Sequence, residues 1–327
     1  DAGTSGVASV RRVEQINAYL LNAKNVFVTA AKVPLSFDSL ITDGSGALDG
    51  GHLILSSDEC RSLLTAPVGK FERFVRPYLG SSEFIRGTTR WCLWIEDADV
   101  SVAIENPHIA KRIDDVKNFR LNAGTRAKTA VGRPHKFAWT NKQRGLQLII
   151  PTVFSEKREY VTAGLLDDRY IVSNAASIVQ SPKPHVFAII SSSMHISWVR
   201  AVAGRLKTDI RYTSALCYNT FPVPLLTEQN KTDLSTCAEN ILLAREAHFP
   251  ATIADLYDPA TMPDNLRHAH ERNDEVLERI YIGRRFKNDT ERLEKLFELY
   301  TKMAAAAAKS TPAGPAKPGK GRKTMVR

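Results

Sequence analysis

The sequence predicts an α+β chain: a mixed strand-and-helix region through residue 225, an all-α region over 226–303 and a disordered basic tail over 304–327. Three observations carry this expectation. Hydrophobic residues fill 43% of 327 positions, enough for a real core and, at that length, for two domains. Up to residue 225, short apolar runs and helical periodicities alternate without βαβ regularity. Beyond Pro224, apolar residues recur only at helical spacing.

Residues 1–17 read as a linker or helix remnant, small and polar at first and then helix-like through Val13 and Ile16. From Val26 to Leu55 apolar runs alternate with Gly and Asp. "DGSGALDGG" (Asp43 to Gly51) is expected as a loop, followed by a strand in "HLILS". Ser56 and Glu59 stand at capping-box spacing, so a helix is expected to start there. "RWCLWIED" reads as a strand with Trp91, Leu93 and Ile95 on one face. "NPHIAKRIDDVKNFRLN" reads as a helix that buries Ile109, Ile113, Val116 and Phe119. "LQLIIPTVF" and "RYIVSNAASIVQ" are further strands. The segment from Trp198 to Arg211 reads as a helix, and an extended aromatic stretch closes it at Phe221–Pro224.

In the second region, Leu234, Cys237, Ala238, Ile241 and Leu242 form one apolar stripe. A second helix has Asp264 at the N-cap and Gly283 just past its end, with Leu266, Ala269, Val276, Leu277 and Ile280 inward. The last helix starts with Asn288 and Glu291 at capping spacing and turns Leu293, Leu296, Phe297 and Tyr300 inward. These helices are expected as a separate all-α unit. From Ala304 the chain is Ala, Pro, Gly and six cations with no acid, a composition that cannot bury a core.

The formal net charge is +10 and the sequence pI is about 9.4, a balance that favours a polyanionic partner, nucleic acid before membrane. No run of about 18 apolar residues exists, so no membrane partner is expected. Cys60, Cys92, Cys217 and Cys237 form no C-x-x-C pair and read as buried, reduced thiols. That fits a cytoplasmic location. The N-terminus has neither the basic nor the apolar region of a signal peptide.

No catalytic or metal-binding residue is assigned. The chain lacks a P-loop, an H-E-x-x-H motif and a G-x-S-x-G elbow. "GSGALDGG" is not wedged between a strand and a helix. His268 and His270, two apart on a helix, read as surface histidines. Asp115 and Lys117 form a lone D-x-K of the kind seen in metal-dependent nucleases, a common triplet.

Cations carry the site expectation. On a helix from Trp198 to Arg211, Arg200, Lys207 and Arg211 line one stripe, with Gly204 in it; Arg205, on the same segment, is a further candidate phosphate contact. Val199, Val202, Ala203 and Leu206 share a core-facing side roughly a third of a turn away. Such a helix could dock on a core by one side and on a duplex backbone by the other. Tyr212 and Asn219 follow at once and join the candidate set. A second cluster supplies Arg73, Arg76, Arg86 and Arg90, interleaved with Tyr78 and Phe84. A third is "SEKREY", with Ser155, Lys157 and Arg158 as candidates; mixed Glu/Lys/Arg loops suit base edges. Ordinary solvated surface is the alternative for each cluster.

Four blocks together resemble the C-terminal half of the MmeI-like (Type IIL restriction–modification) adenine-specific DNA methyltransferases. They are "FVRPYLGSSEFIRGTTRWCLWIED", "FSEKREYV", "WVRAVAGRLKTDIRYTSALCYNTFPVP" and "LYDPATMPDNLRHAHERNDEVLERIYIGRRFKNDTERLEKLFELY". The resemblance runs from about Gln15 to Tyr300, loosely between Asp97 and Gly145; at Val223 the family pattern has Trp. It implies a DNA target recognition domain over 18–225 and a C-terminal helical domain over 226–303. It further implies double-stranded DNA and a methylase domain or subunit as partners. No cofactor is expected in this chain; S-adenosylmethionine belongs with the adenine-N6 methylase portion, which lies outside it. The rival expectations are a protein-interaction module or specificity subunit of a split methylase, and a metal-dependent nuclease built on Asp115 and Lys117.

Overall fold

The computed structural model describes residues 17, 19, 26–65, 70–141 and 145–310. The helix remnant expected before Asn17 and the tail beyond Ser310 lie outside the described residues. Among these residues the strands are β1 (Ile41–Asp43), β2 (Ile54–Leu55), β3 (Val75–Leu79), β4 (Arg90–Leu93), β5 (Gln147–Pro151), β6 (Val153–Phe154), β7 (Gly164–Leu166), β8 (Ile171–Val172), β9 (Ala176–Gln180), β10 (Gly204–Leu206) and β11 (Asp209–Arg211). The helices are α1 (Ser57–Thr65), α2 (Ser81–Arg86), α3 (Val100–Ala103), α4 (Pro107–Asn122), α5 (Thr125–Lys128), α6 (Pro184–Ile190), α7 (Ser193–Val202), α8 (Glu228–Glu246), α9 (Ile253–Leu256), α10 (Asp264–Ile282) and α11 (Asp289–Ser310). The architecture is α+β, three small sheets followed by a helical region.

The first sheet has the order β1-β9-β5-β7, antiparallel throughout. β5 and β9 are its centre. Every residue of "QLIIP" is buried, because both faces of the strand are covered, and Leu148–Pro151 accordingly form an apolar run rather than an alternation, while the Gln147 amide donates to the Asp167 and Tyr170 carbonyls. The second sheet, β2-β4-β3-β8, is antiparallel except for the β3–β8 pair. The third, β10-β11-β6, is the smallest. β5 and β6 are separated only by Thr152, so one run of chain leaves the first sheet and enters the third. Pro151 has no N–H to continue the first ladder.

One continuous core joins Leu148, Ile150 and Val179 of the first sheet to Phe187, Trp198, Leu234, Ile241, Leu277 and Phe297 of the helices. Among the helices after residue 226, α8 packs against both α6 and α10, and α11 packs against α7. A buried polar chain ties the two regions. Arg245 donates to the Ala163 carbonyl (2.7 Å) and to the Tyr257 hydroxyl (2.7 Å). That hydroxyl meets His270 Nε2 at 2.7 Å, and His270 Nδ1 meets the Ser191 carbonyl at 3.0 Å. A second core, with Leu53, Phe74, Leu93, Ile95, Ile109 and Val116, lies under the second sheet. All four cysteines are buried and form no disulfide.

Several local expectations appear as read. Ser56 and Glu59 exchange capping bonds (3.2 and 2.8 Å). Gly283 ends α10 at φ 77°. Other boundaries differ. The N-cap of α10 is Pro263, with Asp264 the first helical residue. α11 runs on to Ser310, past the expected end at 303, because its Ala run has the highest helix propensity of any residue type. In α4 the inward residue is Arg120, not Phe119, which is 38% exposed. The largest correction concerns residues 198–211. α7 begins at Ser193, capped by the Ser192 hydroxyl, and stops at Val202. Gly204, Thr208 and Asp209 are poor helix formers, and the chain turns into a hairpin instead.

Candidate nucleic-acid interface

β10 and β11 form a tight hairpin in register Gly204↔Arg211, Arg205↔Ile210 and Leu206↔Asp209. Lys207 and Thr208 make the two-residue turn. Lys207 has φ 56°, the positive value that such turns ask of their first central residue. β11 also pairs with β6, Ile210 opposite Phe154 and Arg211 opposite Val153. Ile210 and Phe154 are buried on one face and pin the ribbon to the core. Residues 204–208 and Arg211 are exposed.

Strand alternation decides where the cations go. Arg205 shares a face with Ile210, Arg211 shares the opposite face with Leu206, and Lys207 stands at the tip. The narrow stripe expected from a helix is thus replaced by cations fanned around a two-stranded ribbon. Arg205 Nη1 lies 4.0 Å from Glu156 Oε2, an exposed pair of little energetic weight. Lys207 and Arg211 make no side-chain hydrogen bond or ion pair with the described residues.

The loop after β6 abuts this ribbon. Ser155 starts a turn: its carbonyl accepts from Arg158 N (3.1 Å) and its hydroxyl from Lys157 N (3.3 Å). Arg158 points inward, donating to the Ile253 and Ala254 carbonyls at 3.1 and 3.2 Å. Burial lowers its pKa, with Asp258 and Asp255 opposing. Arg200 donates to the Arg158 carbonyl (3.0 Å) and lies 3.8 Å from Asp289 Oδ2. Arg158 and Arg200 therefore hold the loop against α9 and α11, and Glu156 and Lys157 form its exposed crest.

Two expected surface residues are internal. Tyr212 is 1% exposed and its hydroxyl meets His195 Nε2 at 3.1 Å. Burial takes the His195 imidazole down to about 3 and the Tyr212 phenol well up, so the pair is neutral. Asn219 is buried and donates to the Ala31 carbonyl (2.8 Å). Tyr212 N also donates to the Thr152 carbonyl (2.9 Å), tying the end of β11 to the chain that enters β6, whereas Asn219 ties to the segment around Ala31. His270, expected at the surface, is fully buried; His268 is exposed.

The Arg73–Arg90 cluster is divided by the fold. Arg73 pairs with Asp99 (2.9 Å), and Arg90 pairs with Glu83 (2.9 Å) while lying over the Tyr78 ring. Arg76 is half-buried on β3, its Nε without a partner. Arg86 ends α2, is exposed, and has no partner among the described residues; α2 packs on β5 and α9, the element that anchors Arg158. The structure thus brings together Ser155, Lys157, Arg205, Lys207 and Arg211, and keeps Arg76 and Arg90 on the second sheet, with Arg73 in the turn just before it.

Asp115 lines a cleft of about 590 Å³ between α1 and α4 and pairs with Lys111 at 2.7 Å. No group of three or more His, Cys, Asp or Glu suited to a metal occurs among the described residues. No described helix is long and apolar enough to cross a membrane. Sequence reading missed one basic segment, residues 123–139; its signal was the lack of any Asp or Glu between Val116 and Ser155.

Comparison with known proteins places this geometry. Residues 22–225 match the family model "MmeI, target recognition domain" and residues 226–307 match "MmeI, C-terminal domain". DNA methyltransferase A of Bacillus subtilis (strain 168) is 37% identical over 295 residues, covering 89% of this chain and 33% of that protein. The Type IIL restriction–modification enzyme MmeI, solved in complex with DNA, superposes with a TM-score of 0.84 at 33% identity, covering 90% of this chain and 39% of that one. The chain thus spans about a third of the length of the first relative and two fifths of the second. It belongs to the MmeI family, carrying that family's target recognition and C-terminal domains.

Proposed function

We propose that this chain reads a DNA sequence for an S-adenosylmethionine-dependent adenine-N6 methyltransferase of a restriction–modification system, the methyl transfer itself being done by another portion of the longer protein or by a partner subunit. The observation that carries this is the exposed β10–β11 ribbon, whose cations stand beside the Ser155–Lys157 crest. A two-stranded ribbon fits the major groove. In this reading Arg205, Lys207 and Arg211 hold phosphates, and Glu156 and Lys157 reach base edges. The DNA complex of MmeI supports the partner.

The residues present do not fit the cofactor. Gly44 and Gly46 of "GSGALDGG" are packed shut: a Cβ on Gly44 would lie 2.2 Å from the Ser173 carbonyl oxygen, and one on Gly46 would lie 2.0 Å from the Trp139 ring. No step is assigned to S-adenosylmethionine within this chain. Selection of bound duplexes from a randomised pool tests the function. One enriched motif is expected; recovery of the pool without enrichment would contradict sequence readout.

A further inference from the structure

From Val116 to Ser155 there are forty residues, eight Lys or Arg and no Asp or Glu. One of the eight, Arg120, organises the rest. It is fully buried and uses all five of its N–H donors on backbone carbonyls: Leu48 and Ala47 (2.9 and 2.8 Å) on one side, and Ala130, Arg133 and Lys136 (2.9, 3.0 and 2.7 Å) on the other. The 123–139 loop is thereby clamped to the segment before β2. Lys136 is taken up by Asp97 (2.6 Å). Lys117, Arg126, Lys128 and Arg133 have no carboxylate partner among the described residues. The Arg126 guanidinium lies 4.0 Å from the Trp139 ring centroid, and Trp139 Nε1 donates to the Gly44 carbonyl (3.1 Å). An aromatic platform of this kind fixes the cation without occupying its N–H donors.

This lobe is connected to the ribbon through one exposed turn. Trp139 bridges to Gly46, and Ser45 accepts from Asn174 N at 2.9 Å. Ala175, next in the chain, accepts from Thr152 Oγ1 (2.7 Å), and Thr152 leads into β6. Asn174 and Ala175 are exposed. The acid-free lobe and the β10–β11 ribbon thus flank the same turn.

We propose that the Arg120-clamped lobe is a second phosphate-gripping element, with Arg126 and Lys128 holding the duplex backbone on the other side of the 174–175 turn from the ribbon. This rests on the DNA-binding reading above. A loop fixed by five carbonyl bonds presents its cations already ordered, which suits backbone contacts that set register rather than read bases.

The test is salt titration of duplex binding by the full chain and by R126Q/K128Q, K128Q alone and R126K. R126Q/K128Q is expected to make the log–log slope shallower by about 2, at ~0.9 per phosphate, equally on every duplex sequence. K128Q, at an exposed position, is expected to give about half that change without touching the Trp139 platform. R126K, which keeps the charge, is expected to retain the wild-type slope. Wild-type slopes in both glutamine variants overturn the lobe proposal while leaving the DNA reading intact. Absence of duplex binding by the wild-type chain overturns both.

Discussion

Arg200 donates to the backbone carbonyl of Arg158 at 3.0 Å, while the guanidinium of Arg158 itself donates to two carbonyls of α9. Two arginines that the sequence presents as free surface cations are consecutive links of one strut. The first prediction separates strut from contact. Arg158→Ala removes a charged donor from two half-buried carbonyls and is expected to cost about 1–3 kcal/mol in urea unfolding. Lys157→Ala, on the exposed crest, is expected to change stability by less than about 0.5 kcal/mol and to weaken duplex binding. Equal stability losses in the two variants would contradict the division.

Lys207 allows a similar separation at the turn. A side chain at φ 56° carries backbone strain that glycine does not. Lys207→Gly is therefore expected to raise stability by up to about 1 kcal/mol while lowering duplex affinity. Thermal unfolding and binding measured on the same preparation check this; a variant that binds more tightly would show that hairpin order, not charge, dominates at the tip.

Arg120 is expected to be among the least replaceable side chains of the mixed region. Arg120→Met strands several buried carbonyls at about 1–3 kcal/mol each and should lower stability by at least about 3 kcal/mol. Arg120→Lys keeps the charge but offers three donors without the planar fork, so only partial recovery is expected. Chemical unfolding distinguishes the two; full recovery by Lys would contradict the five-bond clamp.

How far the sequence was legible follows from these residues. Caps and apolar stripes were readable because they are local: Ser56 with Glu59 before α1, Gly283 after α10. The helix over 198–211 was misread because Arg200, Lys207 and Arg211 fit a helical stripe by spacing alone, while one of the two strands that pair with 209–211 lies at Val153–Phe154, over fifty residues away. Burial of Arg120, Tyr212 and Asn219 was equally out of reach, since Arg120 and Asn219 donate to carbonyls of other segments and the Tyr212 hydroxyl meets the His195 ring. The ribbon nevertheless gathers three of the cations that the helix reading had grouped.

Buried titrating groups give the pH dependence. His195 and His270 are held near 3 by burial, below their ordinary 6.5, so their contribution to stability is present above 6.5 and lost as pH falls toward 3. Burial raises Asp274 to about 6 despite bonds from Ser193, so its contribution is present below its unfolded value of about 3.8 and lost as pH rises through 6. Between pH 4 and 6 the unfolded chain binds two imidazole protons that the folded chain refuses, and the folded chain binds one carboxyl proton that the unfolded chain lacks. From these groups stability should rise with pH by about 1.4 kcal/mol per unit. Asp274→Asn is expected to steepen that slope toward about 2.7 kcal/mol per unit, and His270→Gln to flatten it. Urea unfolding across pH 4–6 checks both; an unchanged slope in Asp274→Asn would contradict the assignment.

The ribbon's grip on duplex phosphates is tested most directly by duplex affinity measured across salt concentration for the wild-type chain and for R205Q/K207Q/R211Q. The wild-type log–log plot should be linear and steep, and the variant should be shallower by about 2.7, at ~0.9 per lost contact. Two parallel lines, or a wild-type slope near zero, would contradict it.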